Sequence, residues 1–70
     1  MFNYGDCVII ADEGFFEGER GIVRDVMENE EYAVELRKSG SVYHFWGTEL
    51  RLDADAQVSD YYRYRKTTSG

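Results

Sequence analysis

Every apolar stretch in this sequence is short and gives way to a glycine or to charge. The longest, residues 7–11, is five residues long, far below the ~20 that a membrane-spanning helix requires. Its centre, Val8-Ile9-Ile10, is β-branched and stiff about χ1, which favours extended backbone, and Asp12-Glu13-Gly14 ends it. Strand character resumes over residues 22–27, and the acidic Glu28-Asn29-Glu30-Glu31 turns the chain. The next segment alternates: the period of two puts Tyr32, Val34 and Leu36 on one face and turns Glu35 and Arg37 toward water. Lys38-Ser39-Gly40-Ser41 reads as a tight hairpin turn. Residues 42–45 form the return strand, residues 46–49 a single 3₁₀ turn, and residues 50–52 a closing strand. Five short strands with no ~12-residue amphipathic helix between them predict an all-β fold, a small antiparallel barrel or a strongly bent sheet.

At 70 residues and 8.2 kDa the chain has room for one core. Its 43% hydrophobic and 16% aromatic content suffices to fill it. No basic-then-apolar start resembles a signal peptide, so neither a membrane nor a secretory setting is expected. Cys7 is the single cysteine, which excludes an intrachain disulfide or a cysteine zinc site and suits a reducing compartment; the expected location is the cytoplasm. Charge is unevenly placed. Residues 1–36 carry ten acids against Arg20 and Arg24, a balance of −8, while residues 37–70 carry four acids and six bases, +2; together they give the net −6. Such a chain repels phosphate backbone at long range, although a local basic patch remains able to bind it.

Two glycine-rich segments carry a family resemblance. Gly5-Asp6-x-Val8-x-Ile10 precedes Gly14-x-x-x-Gly18-x-x-Gly21-x-Val23-x-x-Val26, three glycines in eight positions followed by spaced valines. With Tyr32-x-Val34-x-Leu36 and Glu49-Leu50-x-Leu52, the pattern resembles the KOW motif of SH3-like small barrels, as in NusG-like transcription factors and ribosomal proteins, over residues 4–52. The resemblance implies a five-stranded antiparallel SH3-like barrel over residues 1–52. Residues 53–70 are expected as either a short helix, with Asp53 as its cap, or a flexible tail. It further implies a noncatalytic module that binds RNA, the ribosome or transcription proteins through its first loop, here residues 13–20. That loop departs from the nucleic-acid-binding members, because Asp12, Glu13, Glu17 and Glu19 surround Arg20 where a phosphate binder presents Lys and Arg.

Within the loop, Phe15 and Phe16 are adjacent, and adjacent loop residues do not easily both point into one core. One is expected to stay exposed and, with Tyr43 and Trp46 nearby, to form an apolar patch rimmed by carboxylates. The candidate partner-binding residues are therefore Glu13, Phe15, Phe16, Glu17, Arg20, Tyr43 and Trp46, and the expected partner is a protein with a basic surface. Tyr61, Tyr62, Arg63, Tyr64, Arg65 and Lys66 interleave aromatics with cations, a mix suited to stacking bases and neutralising phosphates. They carry the alternative reading, an RNA or single-stranded nucleic-acid binder. Packing of those tyrosines on the acidic barrel is the structural alternative. A third reading is an acidic inhibitor that mimics nucleic acid.

Catalysis and metals find little support. Cys7 and His44 could act as nucleophile and base only if strands one and four met, and no orienting group accompanies them. Asp53-x-Asp55-x-Gln57 lacks the glycine and glutamate of a calcium loop, with Val58 and Tyr64 in their places. Residues 28–31 read as a solvated acidic turn. No cofactor is expected. The sequence reading is a small noncatalytic adaptor or regulator, with transcription or translation machinery as its expected setting.

Overall fold

The computed structural model describes residues 1–56. Five antiparallel strands follow in order: β1 Cys7–Ile10, β2 Arg20–Val26, β3 Glu31–Leu36, β4 Val42–Trp46 and β5 Leu50–Leu52. Short 3₁₀ turns, Glu28–Glu30 and Gly47–Glu49, precede β3 and β5. The sheet runs β4-β3-β2-β1-β5, so β1 to β4 form a meander and β5 returns to pair with β1. This is the SH3-like arrangement expected. Among the described residues no ladder joins β4 to β5; Gly47–Glu49 spans the gap between them.

One face of the curled sheet encloses the core. Val8 and Ile10 of β1, Val23 of β2, Tyr32, Val34 and Leu36 of β3, Phe45 of β4 and Leu50 of β5 form a single buried cluster. The period-two reading of β3 therefore holds for its inward face. Tyr32 is covered by the ring of Phe2, 5.3 Å away edge to face, and its hydroxyl accepts the Phe2 N–H at 3.2 Å.

The opposite face differs from the expectation at Glu35. A register shift between Val23 and Asp25 places Arg24 at a bulge, and its Nε lies 3.3 Å from Glu35 Oε1. The Glu35 side chain is only 15% exposed, shielded from water rather than facing it. Bulges of this kind sharpen the local twist and help bend a sheet into a barrel.

Two glycines of the motif have separate steric reasons. Gly18 takes φ +83°, where a side chain is strained. Gly21 sits so close to β3 that a Cβ there would lie 2.6 Å from both Glu35 O and Val34 Cγ1.

Trp46 belongs to β4, opposite Glu31, and not to the 3₁₀ turn. The Glu49 carboxylate accepts its N–H at 2.8 Å, which ends the strand and caps the turn that follows.

Candidate protein-recognition surface

The first loop is a folded extension of the β1–β2 hairpin. Ile10 N–H donates to Glu19 O at 2.9 Å and Gly18 N–H to Ile10 O at 2.8 Å, so the loop closes on the end of β1. Within it Glu17 N–H reaches Gly14 O and Glu19 N–H reaches Phe16 O. The backbone is thus held at both ends and across its tip, and the two phenylalanines at that tip diverge.

Phe16 turns inward. Its ring packs 4.6 Å from Tyr43 and 5.8 Å from Phe45, and it is partly buried against the core. Phe15 turns outward, edge to face on Phe16 at 5.0 Å, and stays 90% exposed. An aromatic chain therefore runs from the core at Phe45 through Phe16 to solvent at Phe15, with Tyr43 packed on Phe16. Each such ring pair is worth roughly 0.5–1.5 kcal/mol beyond its area, so Phe15 projects from a supported base. Exposing a ring that size forgoes about 1.5–3 kcal/mol of burial. A partner surface that covers Phe15 recovers it.

Glu13 and Glu17 flank the rings and are exposed. Arg20 does not neutralise them: it opens β2, and its Nε lies 3.3 Å from Oδ2 of the buried Asp53. That contact is an ion pair without a well-aligned hydrogen bond. Asp53 is itself fixed to β1, its N–H donating to Cys7 O at 2.9 Å. The loop's one cation is thereby committed to the opposite sheet face, which leaves the aromatic tip in an acidic rim.

Trp46 is not brought to this patch. Tyr43 and Trp46 lie three residues apart in a strand whose side chains alternate, so they project from opposite faces of β4. Tyr43 joins Phe16; Trp46, 53% exposed, lines an open groove with Asn29, Glu30, Gly47 and Thr48. The wall of that groove is a turn in which Asn29 and Glu30 both take left-handed φ, 60° and 58°. The expected placing of Trp46 beside the phenylalanines is therefore corrected: its pairing with Glu31 makes it a strand residue, and the strand period then sends it to the other face. Val42, 52% exposed on the Trp46 face, reads from the sequence only as an ordinary strand residue.

Cys7 and His44 are also kept apart. β3 and β2 lie between their strands in the sheet order. His44 instead lies 3.1 Å from Glu31 through Nδ1. Among the described residues no three His, Cys, Asp or Glu side chains are grouped to hold a metal ion. The Tyr61, Tyr62, Arg63, Tyr64, Arg65 and Lys66 segment lies outside the described residues, as do Gln57, Val58 and the rest of the proposed helix or tail.

No family model matches the chain, and no curated protein matches it. Among solved structures it is similar to a chain of the crystal structure of the MjSpt4:Spt5 complex, conformation B, with a TM-score of 0.70 and 25% sequence identity over 81% of its own length. The fold is KOW-like. The match spans 40% of that chain, so it is one part of a larger protein that the present chain resembles.

Proposed function

We propose that this protein is a noncatalytic KOW-type module that binds a protein partner, with Phe15 as the anchor and the surrounding carboxylates as the complementary rim for a basic surface. One observation carries the reading: a phenylalanine 90% exposed on a loop held by backbone hydrogen bonds and by the Phe16–Tyr43 stack. Interface energy concentrates in preorganised aromatic anchors, and rim charges steer the encounter. The similar chain belongs to a protein–protein complex, which supports a protein partner in general. Transcription or translation machinery is the setting that the KOW resemblance suggests.

The acidic loop favours protein over nucleic acid, because a phosphate backbone approaching Glu13 and Glu17 meets like charge with Arg20 already paired. Quantitative affinity capture with the full chain and with Phe15→Ala tests the proposal. The substitution lies at an exposed site and should leave stability within about 0.5 kcal/mol, while retained partner falls about ten-fold, the loss expected of one anchor of roughly 1.5 kcal/mol. Equal recovery by both proteins contradicts the reading.

A further inference from the structure

The two exposed aromatic groups occupy opposite faces of one strand, and that strand is an edge. Phe16 and Tyr43 stand on one side of β4 and Val42 and Trp46 on the other, while β3 pairs with one of its edges and, among the described residues, no strand pairs with the other. The ladder pattern fixes which backbone groups remain available. Arg37 N–H donates to Arg20 O, so the odd-numbered residues of β3 point their amides and carbonyls at β2. Leu36 N–H donates to Ser41 O, so the even-numbered ones point at β4. Across the register Leu36–Ser41, Val34–Tyr43 and Tyr32–Phe45, it is Tyr43 and Phe45 that bond inward. Val42, His44 and Trp46 turn their backbone groups to the outer edge, which is free among the described residues. The bond from Trp46 N–H to Glu49 Oε1 agrees with this, since that N–H points away from β3.

Edge strands are usually kept short or carry Lys, Pro or an inward charge that discourages pairing. β5 is such an edge, three residues with Arg51 at its centre. β4 is not: Val-Tyr-His-Phe-Trp has no fixed charge, and the whole chain has no proline. A ligand that touched only one face of β4 would leave the other aromatic group in water. An extended strand paired along the edge touches both, because its own side chains alternate between the two faces.

We propose that the free edge of β4 at Val42 and His44 docks an extended, basic segment of the protein partner, which adds to the sheet as a sixth strand and packs against Phe16–Tyr43 on one face and Trp46 on the other. This rests on the protein-binding reading above and specifies its mode. Charge selects the occupant. Residues 1–56 hold thirteen acids and five bases, −8, and the carboxylates bordering β4 include Glu31 on β3 and Glu30 beside Trp46. A second copy of this chain would bring a net −6 against −6, whereas a lysine-rich strand is attracted.

The test uses the full chain, isotopically labelled, with two nine-residue probes, one alternating lysine with valine and one alternating lysine with proline. The charge is equal, but only the first can form a ladder. The lysine–valine peptide should protect the Val42 and His44 amides from hydrogen exchange by about ten-fold or more, the lysine–proline peptide should not, and His44→Pro should weaken binding about ten-fold, the equivalent of one to two ladder hydrogen bonds. Should His44→Pro fail to fold, Val42→Lys and the exchange pattern of the unaltered chain give the same discrimination. Equal binding of both peptides, or shifts confined to residues 13–18, overturns strand addition; if Phe15→Ala still weakens that binding, the protein-recognition reading survives without it. Absence of binding by either peptide overturns the proposed occupant. Edge protection that rises with protein concentration and no peptide assigns the edge to a second copy and overturns it as well.

Discussion

At Gly21 a Cβ would sit 2.6 Å from the β3 backbone and from Val34, so Gly21→Ala forces the β2–β3 pair apart. A cost of about 1–3 kcal/mol is expected, in line with overpacking a close contact. Gly14, by contrast, has normal φ and only Asp12 Oδ2 at 3.5 Å, so Gly14→Ala should change stability by less than about 0.5 kcal/mol. Urea unfolding of the two variants checks the contrast. The motif spacing made these glycines visible together, but only the fold separates the one that is sterically required from the one that is not. Arg20 makes the same point for charge. As the lone base of the loop it reads as a contact residue, yet it lies on Asp53, a partner 33 positions away that no local pattern reveals. Arg20→Ala should therefore lower the thermal midpoint, because it leaves a buried carboxylate uncompensated. Arg37→Ala, at an exposed turn position, should not.

Among the elements, all five strands were readable because short β-branched and aromatic runs were punctuated by glycine and charge. The errors lie where pairing, rather than composition, decides. The bulge at Arg24 shelters Glu35, and it depends on the register between two strands. The sequence places Trp46 in the 3₁₀ turn with Gly47, Thr48 and Glu49, whereas its pairing with Glu31 keeps it in β4. Phe15 and Phe16 were legible as a divided pair but not as which ring goes in, since that depends on Tyr43 and Phe45 arriving from a distant strand. The division predicts unequal variants. Phe16→Ala removes three ring contacts at a partly buried site and should cost about 1–3 kcal/mol in denaturant unfolding, and Phe15→Ala under about 0.5. For β4, hydrogen exchange in the free chain should alternate, with Tyr43 and Phe45 slow and Val42 and His44 fast. A uniformly slow strand would mean that its outer edge is already covered.

For the molecule as a whole, the net charge concealed how one-sided the barrel is. Its described residues carry −8, with Arg20 and Arg24 already in ion pairs, so the surface around Phe15 is acidic and apolar together. A basic protein surface would complement both features, whereas the phosphates of a nucleic acid would meet like charge at the acidic rim. The most direct test replaces Phe15 with a photoactivatable benzoylphenylalanine in the full chain, with the same residue at exposed Tyr4 as the control. Irradiation in cells should give adducts at position 15 that exceed those at position 4, disappear with protease and resist nuclease. Adducts no more abundant at position 15 than at position 4, or adducts that nuclease removes, would contradict the assignment of this loop to protein recognition.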